Sequence, residues 1–124
     1  MADEPLATKG NWLHIYDFKV KPGCEEEFIR LFEAFDYGAD NPMHTSAAQV
    51  KDGVLCRDEH DPSRFFLIAE WRSIEEHGRI LPILKDMRPA FIGLIEGGAA
   101  AFKPRYVEVV MSTPEHILKA AKAI

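Results

Sequence analysis

The sequence predicts an α+β domain of the split βαβ, or ferredoxin-like, type, in which a four-stranded antiparallel sheet carries helices on one face. Three observations predict it. Segments of two-residue and helical period follow one another as strand, helix, strand, strand, helix, strand. A chain of 124 residues can bury one core but not two. Apolar residues make up 47% and charged residues 28%, the balance of a chain that folds.

Residues 1–10 are polar and small, include Pro5 and Gly10, and carry no period, so a flexible arm is expected. From Asn11 to Val20, one set (Trp12, His14, Tyr16, Phe18, Val20) alternates with another, as a strand requires. Pro22-Gly23 turns the chain. Glu25, Glu26 and Glu27 then suit the positive end of a helix whose apolar positions are Phe28, Leu31, Phe32 and Phe35. Tyr37 to Ser46 reads as a connection with room for a short turn. Val54–Glu59 and Arg64–Trp71 flank His60-Asp61-Pro62-Ser63 and form an antiparallel hairpin. Ala47–Val50 extends its first arm, with a bulge or bend at Asp52-Gly53.

Ser73-Ile74-Glu75-Glu76 has the form of a capping box, and Ile80, Leu84, Met87, Phe91 and Ile95 continue a helical stripe. Pro82 and Pro89 each remove a backbone donor, so two helical pieces, broken or kinked at the prolines, are expected before Gly97-Gly98. Arg105–Met111 is a fourth strand. Thr113-Pro114-Glu115 opens a terminal helix with Ile117, Leu118, Ala121 and Ile124 on its apolar side. The expected organisation is an arm at 1–10, a domain at 11–111, and a helix at 112–124 that packs on the domain or on a partner subunit.

The formal charge of -5, with basic residues scattered among acidic ones, disfavours nucleic acid as a partner. No apolar run reaches the roughly 18 to 20 residues that cross a bilayer, and the first residues lack the order of a signal peptide, so no membrane role and a cytoplasmic location are expected. Cys24 and Cys56 are expected to be free thiols. No phosphate loop or dinucleotide fingerprint is present, which leaves no cofactor expected. Asp58-Glu59-His60-Asp61 contains metal-ligand residue types, but consecutive side chains diverge, and no metal is expected. Phe65 to Ala69 is an unbroken apolar run and the first strand is apolar on both sides, so both sheet faces need cover. The helices supply one cover, and a second copy of the chain, forming a homodimer, supplies the other.

The stretch Tyr16-Asp17-Phe18-Lys19-Val20-Lys21-Pro22-Gly23, followed by Glu26, Glu27 and Phe28, resembles the opening of antibiotic-biosynthesis monooxygenase (ABM) domains. Gly53-Val54-Leu55, Arg57-Asp58, Asp61-Pro62 and the run from Phe66 through Glu70-Trp71-Arg72-Ser73 are similar to that family's central hairpin. The resemblance spans about residues 11–111 and implies a dimeric α+β barrel. It also implies cofactor-free chemistry, in which a phenol or quinol loses a proton and its anion reacts directly with oxygen. The haem-degrading branch of the superfamily uses an Asn, a Trp and a His where ungapped spacing puts Tyr16, Ile80 and Ala90 here, so haem degradation is disfavoured. Family members often have a His about nine residues after the strand-end Trp; Ile80 holds that place, and His77 lies three residues earlier.

Such chemistry needs an apolar cavity, a hydrogen-bonding group at the substrate oxygen and a base. His14 and Tyr16, two apart on one strand, emerge on the same face; His14 is the candidate proton acceptor and Tyr16 the candidate partner of a developing oxyanion. His77, on the first turn after the capping box, is the third catalytic candidate. Trp71 offers a flat wall for an aromatic small-molecule substrate, with Trp12 and Phe32 as further binding candidates. The bland reading makes His14 and Tyr16 core residues whose polar tips meet backbone or water, and Trp71 a packing residue. The leading function is a cofactor-independent monooxygenase on a small aromatic or polyketide-type substrate. A non-oxidative isomerase, decarboxylase or cyclase, and a non-catalytic ligand-binding dimer whose cavity is filled by Phe28, Phe32, Phe35 and Phe91, stay open.

Overall fold

The computed structural model describes residues 4–122. The two periods of the sequence produce β1 (Trp12–Lys19), α1 (Glu25–Tyr37), β2 (Gln49–Arg57), β3 (Arg64–Trp71), α2 (Ile74–Asp86), β4 (Pro104–Glu108) and α3 (Glu115–Lys122), with 3₁₀ turns at Pro42–Thr45, Ala90–Leu94 and Gly98–Ala100. The sheet order is β2-β3-β1-β4, antiparallel throughout, as the split βαβ fold requires. The two strands richest in apolar residues, β1 and β3, therefore lie in the centre.

Pairing fixes which side chains share a face. Trp12 lies opposite Trp71 and Phe18 opposite Phe65, while on the other side of β1 His14 lies opposite Tyr106. Because alternate side chains leave a strand on opposite faces, His14, Tyr16 and Phe18 join Phe65, Leu67, Ala69, Trp71 and Tyr106 on one side. All of these are buried except the half-buried Tyr106. Phe28 of α1, Ile80 and Leu84 of α2, and Phe91, Ile92, Ile95 and Phe102 close over them. Each such apolar side chain contributes roughly 1.5–3 kcal/mol on burial, so this layer between helices and sheet is the core.

Leu13, Ile15, Phe66, Ile68 and Val107, on the other face, are only half-buried, and Val54 is 55% exposed. The segment read from the sequence as an arm reaches the sheet: Ala7 is buried, and the buried carboxylate of Glu70 accepts from the Thr8 N–H at 2.8 Å and from Asn11 Nδ2 at 2.9 Å. The bulge expected at Asp52-Gly53 is present as register shifts between Gln49 and Val54. A Cβ at Gly53 would meet Leu67 Cδ1 at 3.2 Å, which explains a glycine where the strand bends over the core.

Three local expectations are corrected. Ser73 caps α2 without a side-chain bond to a backbone N–H of the helix; its hydroxyl donates to Glu75 Oε1 at 2.9 Å, while Glu76 accepts from Ser46 and Arg79. The capping box is thus replaced by side-chain bonds, from Ser73 to Glu75 within the first turn and to Glu76 from Ser46 and Arg79. Pro82 does not interrupt α2, which runs from Ile74 to Asp86. The carbonyl that Pro82 cannot serve belongs to Gly78, an exposed residue, where solvent can replace the missing donor. β4 ends at Glu108, short of Met111; beyond it Val109 N–H bonds Asn11 O and Val109 O accepts from Gly10 N–H, both at 2.9 Å. Val110 and Met111 are each 69% exposed, and no described residue of α3 is buried. Ile124, expected on the apolar side of that helix, lies outside the described residues.

Candidate functional site

Four elements converge at one end of the inner sheet face. β1 supplies His14 and Tyr16, the last residue of β3 supplies Trp71, the first turn of α2 supplies His77, and β4 supplies Tyr106. The rings are close: His14 and His77 centroids lie 4.7 Å apart, and His14 and Tyr16 lie 4.9 Å apart edge to face. Tyr16 stacks on Phe102 at 4.3 Å, which holds its hydroxyl toward the histidines.

One hydrogen bond fixes a tautomer. Trp71 Nε1 donates to His14 Nδ1 at 3.0 Å. An indole N–H can only donate, so Nδ1 carries the lone pair and the neutral ring bears its proton on Nε2. That Nε2–H is buried and has no partner. The Tyr16 hydroxyl lies 2.8 Å from His77 Nε2, and the Tyr106 hydroxyl 2.7 Å from His77 Nδ1. The donors in these two bonds follow the His77 tautomer: with the proton on Nδ1, Tyr16 donates to Nε2 and Nδ1–H donates to Tyr106, and with the proton on Nε2 both bonds reverse.

Charge is kept out of this cluster. Burial lowers His14 to about 3, reinforced by the adjacent His77, and burial lowers His77 to about 4. Burial, with Tyr106 adding to it, pushes the Tyr16 hydroxyl well above its ordinary value, and desolvation also raises Tyr106. All four groups are neutral near pH 7.

His14, Tyr16 and His77 line a chamber of about 30 Å³ together with Phe32, Phe91 and Phe102. That space holds a water molecule or another diatomic or triatomic guest, not an aromatic ring. Beside it, between α1 and the β2 edge, opens a groove of about 550 Å³ lined by Ile29, Phe32, Tyr37, Val54, Leu55 and Phe65, among others. Phe32, Asp36 and Gly53 belong to both spaces and form the boundary between them.

Of the residues singled out from the sequence, His14, Tyr16, His77 and Phe32 come together. Trp71 is 1% exposed and does not line the chamber, because its indole is turned to bond His14 from behind; Trp12, opposite it, also lies away from the chamber. Tyr106 and Asn41 were not singled out. Tyr106 enters only through the β1–β4 register. Asn41, buried at the chamber wall, accepts from Met43 N–H and donates to Asp36, and its one sequence signal is the Asn-Pro start of a helical turn. Arg57 and Arg64 form exposed pairs with Glu26 and Asp17, and the Asp58 carboxylate caps the hairpin turn by accepting from the His60 and Asp61 N–H groups.

Neither a comparison with protein-family models nor one with curated proteins gives a match. Solved structures do. Two proteins named putative antibiotic biosynthesis monooxygenase are similar: one from Chloroflexus aurantiacus, at 20% identity and TM-score 0.56 over 84% of this chain and 97% of that one, and one from Bordetella bronchiseptica, at 19% and 0.58 over 83% and 100%. A Pseudomonas aeruginosa protein is similar at 21% and 0.50 over 81% and 94%. The chain therefore has the ferredoxin-like fold of proteins bearing the ABM name, and identity near one fifth carries the likeness no further than the fold.

Proposed function

We propose that the protein is a cytoplasmic, homodimeric, cofactor-independent monooxygenase that acts on a small aromatic or polyketide-type substrate. The observation that carries this reading is the His14 Nε2–H, a buried donor without a partner that borders a chamber lined largely by apolar side chains. An orphaned donor of this kind costs roughly 1–3 kcal/mol, and a ligand oxygen placed in the chamber recovers it. The aromatic body of the substrate occupies the groove beside α1, with its reactive edge directed past Phe32. The roles expected from the sequence are exchanged in this reading. His14, its Nδ1 already occupied, is the donor to the substrate oxygen, and Tyr16 backed by His77 takes the proton. For an anthrone, loss of a ring CH₂ proton leaves a carbanion stabilised as its enolate; oxygen adds to it, and loss of water from the hydroperoxide leaves a carbonyl, so that one O₂ supplies the new oxygen and one water.

The dimer is supported by the apolar row Leu13, Ile15, Phe66 and Ile68, left half-buried among the described residues, and by the exposed Val110 and Met111. One observation favours a second reading. Phe28, Phe32, Phe35 and Phe91 interlock, with Phe32 and Phe91 centroids 5.0 Å apart edge to face, and the chamber they leave is small, as a non-catalytic ligand-binding dimer would have it. Oxygen uptake with anthrone and a set of quinols, without added flavin or metal, separates the readings. The monooxygenase consumes one O₂ per product above the uncatalysed rate, and His14→Ala lowers kcat by about 10²–10³, as loss of one preorganised donor does. Conversion without oxygen assigns isomerase or lyase chemistry; saturable binding without conversion assigns the binding dimer.

A further inference from the structure

We infer that Tyr16, His77 and Tyr106 form a proton relay joining the buried chamber to the protein surface, with Tyr106, a residue outside the chamber, as its outlet. The inference rests on the reading of the chamber as an active site and adds to it the route by which the substrate's proton leaves.

The need for a route follows from the burial. His14 and His77 are both depressed far below neutrality, so neither stores a proton as a cation at pH 7. A proton removed in the chamber must therefore be passed on, not held. Two short bonds in series, 2.8 Å from Tyr16 to His77 Nε2 and 2.7 Å from His77 Nδ1 to Tyr106, provide a continuous hydrogen-bonded path from the Tyr16 hydroxyl outward. The inner end is buried: Tyr16 is 2% and His77 0% exposed. The outer end is half-buried, and its hydroxyl lies 3.8 Å from where a Cβ on the exposed Gly78 would sit, at the surface of α2.

The resting direction of the relay is set by the tautomer of His77. With the His77 proton on Nδ1, Tyr16 donates to Nε2, Nδ1–H donates to Tyr106, and the chain points outward. Proton loss from the substrate passes a proton to Tyr16 Oη as the original Tyr16 proton moves to His77 Nε2. The His77 Nδ1 proton moves to Tyr106 Oη, and the original Tyr106 proton passes to water. Every relay group ends neutral, the substrate is left as its anion, and one proton has left the protein. The relay is then reversed, with His77 protonated on Nε2 and a hydroxyl proton of Tyr16 facing the chamber. In that state it delivers one proton to the peroxide anion formed when O₂ adds to the substrate, which resets the outward direction. The two transfers cancel, as the conversion of CH₂ and O₂ to C=O and H₂O demands.

The variant that tests the outlet is Tyr106→Phe, which keeps the ring and deletes only the hydroxyl. With anthrone as the probe, kcat falls roughly ten- to a hundredfold, toward the range of a positioned acid or base, while KM and the melting temperature stay close to wild type. Adding imidazole buffer restores part of the lost kcat, because a small base reaching the surface replaces the missing acceptor; it restores nothing in Tyr16→Phe, whose break lies inside. A wild-type kcat in Tyr106→Phe, or a loss that buffer does not relieve, overturns the relay. Should wild-type protein fail to oxidise anthrone, the oxygenase reading fails separately, and ¹⁵N NMR of the His77 ring in the free protein decides the relay: a proton on Nδ1 supports it, and a proton on Nε2 overturns it.

Discussion

The two faces of the sheet are made by the same strands and have opposite characters. Toward the helices, β1 and β3 present His14, Tyr16, Phe18, Phe65, Leu67 and Trp71, all buried and interlocked within one subunit. Away from them, the same strands present Leu13, Ile15, Phe66 and Ile68, apolar but only half-covered, beside exposed Asp17. The inner face is complete and holds polar groups whose every partner but one is internal. The outer face holds the Glu70 carboxylate, bonded by Thr8 and Asn11, beside an apolar row that stays half-covered. A single residue of register separates a site from an interface, which is why a strand with large apolar groups on both sides is informative.

Placing the same charge on adjacent residues breaks this comparison most severely. Leu67→Asp puts an unpaired carboxylate into the core, at a cost of about 3–5 kcal/mol or more, and should leave little folded protein at room temperature. Ile68→Asp, one residue on, should leave a folded subunit of nearly unchanged circular dichroism but shift its sedimentation from twice the chain mass to the chain mass. A dimer that survives Ile68→Asp would show that the outer face is not the interface, and a well-folded Leu67→Asp would contradict the burial.

Acid should act on the inner face alone. In the unfolded chain a histidine titrates near 6.5, whereas in the folded chain His14 titrates near 3 and His77 near 4. The folded state binds fewer protons throughout the interval, so the stability these residues permit is full above about 6.5 and falls as pH drops toward 4. Between pH 6.5 and 5, before most carboxylates protonate, the slope for two such groups is on the order of 1–3 kcal/mol per pH unit. Urea unfolding at several pH values should show it, and His14→Gln should remove about half. A flat profile in that interval would mean that the histidines are hydrated and the chamber open.

Much of the inner face was legible from the sequence, and the reasons are local. The alternation from Trp12 to Val20 put His14 and Tyr16 on one face, and Pro22-Gly23 followed by three glutamates located α1, because each signal is carried by neighbours in the chain. Pairings between distant segments were not legible. Tyr106 belongs to the site only because β4 pairs with β1 in a register that sets it opposite His14. Trp71 looked like a wall because an indole is large and flat; its actual task depends on where its N–H points. Pro82, expected to break or kink α2, does not break it: the helix runs to Asp86, and the residue whose carbonyl loses its donor, Gly78, is exposed.

The smallest expected effect sharpens the comparison inside the inner face itself, by separating what Trp71 does as bulk from what it does as a donor. Trp71→Phe keeps an aromatic ring against His77 but deletes the Nε1–H that pins His14. The stability loss should be about 1–3 kcal/mol, the range for a buried acceptor left unpaired plus a small void. The decisive readout is the tautomer of His14. In wild-type protein its ¹⁵N spectrum should show Nε2 protonated and Nδ1 bare; in the variant the Nε2–H has lost the bond that fixed it, and a mixture of tautomers should appear. The same change should lower turnover through kcat with KM nearly constant, since only the fraction of rings with Nε2–H can donate to the substrate oxygen. A variant that loses stability while His14 stays locked on Nε2–H would assign the lock to the chamber itself, and Trp71 would then be a packing residue like Phe65 at the far end of the same strand.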